Sequence, residues 1–117
     1  MPKIAAALFA RSPEAEVVSR QALSLPDWTP QARLCHDNCD IWVSRNENWR
    51  RVRGVLIFDT RQFGFIRFVA HSVVANPDGD FIDITPCDAT GYPFLEYLGS
   101  IDEYRIIELA SIVDHVL

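Results

Sequence analysis

The sequence predicts an α+β fold in which N-terminal helices pack on a small antiparallel β-sheet. Helix start signals and a helical spacing of apolar residues fall within the first 46 residues, whereas branched and alternating apolar runs fall between residues 51 and 86. A turn of sequence "NPDG" joins two of these runs directly, and so short a connection requires antiparallel strands.

Length and composition limit the protein to a few classes. The 117 residues fit a single domain, residues 1–117, and a hydrophobic content of 49% is that of an ordinary globular chain. A formal net charge of −5 argues against a nucleic-acid partner, because phosphate binding requires a basic face. No apolar stretch reaches the length of a membrane-spanning helix, so no membrane partner is expected.

Three cysteines, Cys35, Cys39 and Cys87, leave at least one thiol unpaired within the chain. This favours a reducing compartment, and we expect the protein in the cytoplasm. The apolar run Ile4–Ala10 follows a single Lys3 and is at the lower limit for a signal sequence, which leaves export as the less favoured alternative.

The first third of the chain contains an apolar segment and a helix start. Residues 3–10 fit either a strand or a helix by their periodicity. Ser12 as N-cap, Pro13 at the first helical position and Glu14 in the first turn then predict a helix that continues to about Leu23. The two prolines of "SLPDWTPQ" predict a loop after it.

The segment "CHDNCDIWVSRN" predicts a second helix that starts close to Cys35. Cys35, Cys39 and Trp42 recur at i, i+4 and i+7 and share an inward face. The residues expected to face water are Asp37, Asp40 and Ser44. The helix would therefore carry one thiol at its start and another one turn deeper.

Strands and a C-terminal helix are predicted for the rest of the chain. "RVRGVLIFDT" is a short branched run bounded by Gly54, "GFIRFVAHSVVA" is a longer strand, "DFIDIT" is its partner and "DATGYP" is a loop. The tail "SIDEYRIIELASIVDHVL" predicts a helix capped by Ser100, with His115 near its carbonyl end. Its apolar face would consist of Ile106, Leu109, Ile112 and Val113. The basic cluster "WRRVR" is interpreted mainly as a solvated edge, the alternative being a patch that steers an acidic ligand.

The hairpin turn determines which side chains can meet. Pro77 suits the first central position of a type I turn and Gly79 the left-handed conformation that follows, which gives a three-residue loop with a bulge. The facing pairs are then Asn76 with Asp80, Val73 with Asp83, and His71 with Thr85.

In this register, His71 and Asp83 share one face of the hairpin as diagonal neighbours. Both lie among apolar residues, and Phe81 is on the same face, which is therefore not a plainly polar one. We interpret the two as a functional pair. The alternative is a core histidine bonded to a nearby carbonyl and an exposed aspartate.

The order of these residues resembles that of a known superfamily. A cysteine at a helix start, a strand with histidine and a strand with aspartate are similar to the core of the papain-like thiol hydrolases. The segment "HSVVANPDGDFIDITP" is similar to the pattern of the transglutaminase-like branch, and the residue order also resembles the bacterial cell-wall-peptidase branch. The chain resembles, in addition, small uncharacterised phage and bacterial proteins with a Cys-His-x-Asn start. These likenesses cover about residues 30 to 90.

The resemblance implies a papain-like core and a cysteine-dependent hydrolase or acyl transferase that needs no cofactor. It would act on an amide, peptide or isopeptide bond of a peptide or protein substrate. Cys35 would be the nucleophile, His71 its base and Asp83 the group that orients His71. A helix N-terminus and a nearby imidazolium both favour the thiolate, which is the reactive form.

The neighbours of Cys35 leave several roles open. His36 either belongs to the substrate pocket or is itself the functional imidazole. Asn38 is interpreted as a helix cap, with donation to a substrate carbonyl as the alternative, and Trp42 as a further substrate contact. Cys39 is expected in the core, and Gln31 is the one candidate side chain for an oxyanion donor.

Two other function classes remain open from the sequence. The first is a metal site built from Cys35, His36, Cys39, His71 or Cys87. Only the spacing of Cys35 and Cys39 suits zinc, and no clean second pair exists. The second is a non-catalytic binding protein on the same scaffold, for example a phage protein that targets a host factor.

Overall fold

The computed structural model describes residues 2–87 and 91–117, and within them the chain forms three α-helices and six β-strands. The helices are α1 (Pro2–Arg11), α2 (Cys35–Arg45) and α3 (Ile101–Ala110). The strands are β1 (Glu16–Val17), β2 (Arg50–Phe58), β3 (Phe65–Ala75), β4 (Phe81–Ile82), β5 (Pro93–Glu96) and β6 (Ile112–Val116). The strands pair in an antiparallel sheet, so the predicted α+β fold with an N-terminal helix is confirmed. In this part of the chain, no helix combines the length and hydropathy needed to cross a membrane.

The strand order in the sheet is β1-β5-β2-β3-β4, and β6 pairs with β3. Gly54 lies inside β2, so the prediction that it bounds the strand was wrong. A Cβ atom on Gly54 would overlap the carbonyl oxygen of Leu95 and the ring of Phe94, both on β5. The glycine therefore permits the close approach of two paired strands.

The residues divide into two compact units. The first unit comprises the chain up to Val17, Arg53–His71 and Tyr92–Leu117, and the second comprises Val18–Val52 and Ser72–Gly91. Strands β2 and β3 each contribute residues to both units. The prediction of a single domain stays a prediction.

The core of the first unit joins α1 and α3 to the sheet. Its buried residues are Ala5 and Leu8 of α1, Tyr104 and Ile107 of α3, and Val55, Ile66, Phe68, Leu95 and Val113 of the strands. The hydroxyl of Tyr104 donates to the backbone carbonyl oxygens of Gly54 (2.7 Å) and His71 (3.2 Å). This core settles the open alternative for residues 3–10 in favour of a helix, because α1 buries one face against it.

The core of the second unit is built around α2. Its buried residues are Cys39 and Trp42 of the helix together with Val74, Ile82 and Ile84. Trp42 packs edge-to-face on Trp49 with ring centroids 5.4 Å apart. The predicted inward face of α2 is confirmed, and Asp37, Asp40 and Ser44 are exposed as expected.

The helix predicted from Ser12 to about Leu23 was wrong. Residues Ser12–Glu14 form one 3-10 turn, and β1 follows immediately. The Ser12 hydroxyl donates to the Phe9 carbonyl oxygen at 2.7 Å. It therefore bonds to the last turn of α1 and does not cap a new helix. Pairing of β1 with β5 then overrides the local helix signals.

The C-terminal segment is half helix and half strand, which corrects the prediction of one helix. Ser100 caps α3 as predicted, since its Oγ accepts from the Glu103 N–H at 3.1 Å. The helix ends at Ala110, the next residue, Ser111, has a positive φ of 66°, and β6 then pairs with β3. His115 therefore lies in a strand, where its ring stacks on Phe9 at 4.4 Å.

The predicted apolar face of this segment also needs correction. Tyr104 and Ile107 are the buried residues of α3, while Ile106 and Leu109 are exposed. In β6, Val113 is buried and Ile112 is exposed. Because the chain changes from helix to strand at Ser111, the side chains after it alternate between two faces and no longer follow the helical repeat of 3.6 residues.

The hairpin register is confirmed for the pairs next to the turn, whereas the predicted pairs Val73 with Asp83 and His71 with Thr85 lie beyond the end of β4 and outside its pairing with β3. Val74 faces Ile82, Ala75 faces Phe81, and the Asn76 N–H donates to the Asp80 carbonyl oxygen at 2.9 Å. Gly79 has the expected left-handed φ of 88°. The partner strand is shorter than the predicted "DFIDIT", because β4 ends at Ile82. The predicted "DATGYP" loop lies partly outside the described residues.

Candidate active site

Cys35 is the first residue of α2. Leu34 precedes it as the N-cap residue without a side-chain cap, and the Asn38 N–H donates to the Leu34 carbonyl oxygen at 2.8 Å. Cys35 is largely buried, with 9% of its surface exposed. The start of an eleven-residue helix places the backbone N–H groups of its first turn and a positive dipole end near this position.

Cys39 lies one turn deeper and is fully buried, which confirms its expected place in the core. Burial raises the pKa of the Cys39 thiol far above its ordinary value, and the neighbouring Cys35, Asp83 and Asp40 raise it further. The Arg51 guanidinium opposes this shift only in part. Cys39 is therefore held as a neutral thiol, and Cys35 and Asp83 both lie near enough to affect it.

Asp83 is a buried carboxylate of the second unit, 6% exposed. Its backbone bonds to Ser19 and Gln21, which draws it out of β4 into a bridge with Arg20. One carboxylate oxygen accepts from the Thr85 N–H at 3.1 Å, and the other lies 3.8 Å from the Arg20 guanidinium. Asp83 therefore has neighbours that stabilise its charge in a buried position.

Asn38 does not cap the helix, so that interpretation was wrong. Its side-chain oxygen accepts from the Gln31 N–H at 3.0 Å, and its amide nitrogen donates to the Gln31 carbonyl oxygen at 2.8 Å. The same nitrogen donates to Thr85 Oγ1 at 3.0 Å. Because the Thr85 backbone N–H donates to Asp83, Thr85 links the first turn of α2 to the Asp83 carboxylate through one side-chain and one backbone hydrogen bond.

His71 lies in β3 and is the last residue of the Arg53–His71 segment of the first unit. It is 9% exposed, its backbone carbonyl accepts from Tyr104, and its ring lies edge-on to Phe94 with centroids 6.3 Å apart. Cys35 and Asp83 belong to the second unit. The three-residue site with His71 as its base stays a prediction.

A network around Arg51 was missed by the sequence analysis. The side chain of Arg51 is only 9% exposed, so the interpretation of "WRRVR" as a solvated edge was wrong at this residue. Its guanidinium donates to Ser72, bonds to the carboxylate of Asp40 and lies 3.0 Å from His36 Nδ1. The available signal was the i, i+4 spacing of His36 and Asp40, which places both on one side of α2 toward a basic partner.

Trp42 is buried among the core residues of the second unit. In the part of the chain that the structure describes, its indole Nε1 is buried and has no hydrogen-bond partner. A buried donor without an acceptor is unfavourable by itself. The predicted role of Trp42 as a substrate contact stays a prediction.

A metal centre has no ligand set among residues 2–87 and 91–117. No group of three or more His, Cys, Asp or Glu side chains in these ranges is arranged to hold a metal ion. Among the described residues, Cys35, Cys39 and Cys87 form no disulfide bond.

Comparison with known proteins provides no further guide. No family model, curated protein or solved structure matches this chain. The function is therefore inferred from the chemistry of the residues themselves.

Proposed function

We propose that the protein is a cysteine-dependent hydrolase or acyl transferase with a papain-like core, acting on an amide, peptide or isopeptide bond of a peptide or protein. Cys35 is the nucleophile, His71 its base and Asp83 the residue that orients His71. The observation that carries the proposal is the position of Cys35 as the first residue of α2, where the helix dipole favours a thiolate.

The environment of the other helical thiol supports this assignment. Cys39 is on the same face of α2, but burial keeps it protonated. A protonated thiol is a poor nucleophile, so of the two helical cysteines Cys35 is the one suited to reaction. Asp83, buried and bonded to Thr85, has the fixed carboxylate that orienting an imidazole requires.

The proposed reaction proceeds through a thioester. His71 takes the Cys35 proton, the sulfur attacks the carbonyl carbon, and the helix amides stabilise the oxyanion. The C–N bond then breaks while His71 returns the proton to the leaving amine. Water or a second amine attacks the thioester, loses a proton to His71 and releases Cys35 as a thiol.

The chemistry of the cysteines also supports a cytoplasmic location as part of the proposal. Cys35, Cys39 and Cys87 form no disulfide bond among the described residues, and a nucleophilic cysteine must stay reduced to act.

Alkylation with iodoacetamide at pH 6 tests the proposal. Cys35 should react well before Cys39 and Cys87, because a thiolate is present at this pH only where the environment stabilises it. His71→Ala should abolish that selectivity, while the control His115→Ala, at a histidine that stacks on Phe9, should retain it. Modification is measured by mass spectrometry of peptides. Faster reaction of exposed Cys87 than of Cys35 would contradict the proposal.

A further inference from the structure

We propose that Arg51 is a positioning residue that fixes the tautomer of His36, with the ring proton on Nε2. The inference rests on the proposed function, because His36 directly follows the nucleophile Cys35. It assigns a role to a histidine that the sequence leaves as either a pocket residue or a second base.

The contacts of Arg51 connect three elements of the second unit. From β2, its Nε donates to Ser72 Oγ of β3 at 3.1 Å, and one terminal nitrogen lies 3.0 Å from His36 Nδ1. Its other terminal nitrogen donates to both carboxylate oxygens of Asp40, one turn after His36 on α2, at 3.2 and 3.1 Å. Ser72 is fully buried, and its Oγ lies 2.7 Å from the same His36 nitrogen.

The donors and acceptors of this cluster fix the position of the ring proton. A guanidinium can only donate hydrogen bonds, so the nitrogen of His36 that faces Arg51 must accept. Ser72 Oγ accepts from Arg51 and has one proton to give, and the short distance to His36 Nδ1 fits an O–H donor. Each of these contacts then pairs a donor with an acceptor: the single lone pair of unprotonated Nδ1 is shared between the Ser72 O–H and an Arg51 N–H, and Nε2 carries the ring proton.

The other tautomer does not fit these contacts. A proton on His36 Nδ1 would point two N–H groups at each other across the 3.0 Å contact with Arg51. It would also leave the hydroxyl proton of fully buried Ser72 without the acceptor that His36 now supplies.

This assignment decides between the two roles that the sequence left open for His36. With Nδ1 occupied by donors and Nε2 protonated, His36 is a hydrogen-bond donor and not a general base. His71 is then the base of the proposed function, and His36 belongs to the surroundings of the nucleophile. These contacts also explain why an arginine is buried here. Its planar guanidinium reaches Ser72, Asp40 and His36 at once, which the single ammonium group of a lysine could not do.

Nitrogen-15 NMR of the histidine rings tests the inference directly. At pH 7.5, His36 Nδ1 should resonate as an unprotonated ring nitrogen and Nε2 as a protonated one, with at least about a tenfold excess of that tautomer. The signals are assigned by comparison with His36→Gln. A protonated Nδ1 in the wild-type protein would overturn the inference.

Substitution of Arg51 tests its part in fixing the tautomer. In Arg51→Met the tautomer ratio should fall by about tenfold, because the charged donor to Nδ1 is lost. The matched control is Arg45→Met, which removes an exposed arginine that bonds to Asp27 at 2.7 Å. An unchanged ratio in Arg51→Met, or an equal fall in Arg45→Met, would overturn the assignment.

A second variant keeps the test decisive if Arg51→Met does not fold. Ser72→Ala retains the donor from Arg51 and should keep the proton on Nε2, whereas a shift of the proton to Nδ1 would overturn the role of Arg51. The two proposals fail separately. An inert Cys35 overturns the proposed function whatever the tautomer is, and a protonated Nδ1 overturns the role of Arg51 whatever Cys35 does.

Discussion

Cys35 and Cys39 lie one turn apart on the same helix, yet their surroundings differ in kind. Cys35 is at the helix start, where backbone N–H groups favour a negative charge. Cys39 is surrounded by core residues, where a negative charge loses its hydration. The sequence predicted the shared face and the core position of Cys39, but the desolvation of its thiol depends on residues brought in from elsewhere in the chain.

The buried Cys39 thiol should make stability fall at alkaline pH. Its folded pKa is raised, so the folded state keeps a proton that the unfolded chain releases above about pH 8.5. The stability is fully present below the unfolded pKa and is lost as pH rises towards the folded pKa. Urea unfolding between pH 8 and pH 10 should therefore show a decline of up to about 1.4 kcal/mol per pH unit from this thiol.

Cys39→Ala should remove this part of the pH dependence, while Cys87→Ala, at an exposed thiol, should leave it in place. Slopes are compared instead of absolute stabilities, since the smaller side chain also leaves a cavity. Identical slopes in the wild type and Cys39→Ala would contradict the expected shift.

Arg51 shows why some residues of the candidate site escaped sequence reasoning. Three basic residues within "WRRVR" are typical of a solvated edge, and Arg50 is indeed exposed. The partners that bury the Arg51 side chain, His36, Asp40 and Ser72, lie on two other elements. Only the pairing of those elements reveals that the arginine has an internal role.

At the scale of secondary-structure elements, the helix and the turn that neighbouring residues specify were predicted from the sequence. The strands that form only by pairing with distant segments of the chain were not. The helix at Cys35 and the hairpin at Pro77 follow from local periodicity and turn chemistry. Strands β1, β5 and β6 form on partners far away in the chain, and two of them lie where local signals predicted helix. Branched residues after Ser111 favour a strand, and the positive φ of Ser111 allows the change.

The cap of α3 gives a prediction at this scale. Ser100→Ala removes the acceptor for the Glu103 N–H and should lower the free energy of unfolding by about 1 kcal/mol. The measurement is urea unfolding followed by circular dichroism. The control Ser44→Ala removes an exposed hydroxyl that donates to the Ile41 carbonyl oxygen within α2 and should cost less. Equal losses in the two variants would contradict a specific capping role.

At the scale of the whole molecule, the tryptophans and the tyrosines divide by unit. The three tryptophans, Trp28, Trp42 and Trp49, all belong to the second unit, and the three tyrosines, Tyr92, Tyr97 and Tyr104, all belong to the first. Tryptophan fluorescence therefore reports on one unit alone. Strands β2 and β3 contribute to both units, so we expect the chain to unfold in one cooperative transition.

A core substitution in the first unit tests this expectation. Ile107→Ala should destabilise the protein by about 2–5 kcal/mol, since the side chain is fully buried. With cooperative unfolding, the tryptophan midpoint in urea should fall although no tryptophan lies in that unit. The control Leu109→Ala, at an exposed position of α3, should change it little. A tryptophan midpoint unmoved by Ile107→Ala would mean that the units unfold independently.

The two hydrogen bonds between the Asn38 side chain and the Gln31 backbone also limit where residues can be inserted or deleted in this protein. The Asn38 side-chain amide bonds both the N–H and the carbonyl oxygen of Gln31. The chain from Gln31 to Asn38, which contains the start of α2, is thereby closed into a hydrogen-bonded ring. An inserted or deleted residue between them would shift one partner by more than three ångströms and open the ring. Gaps in alignments of proteins that share this site should therefore fall outside the stretch that leads into Cys35.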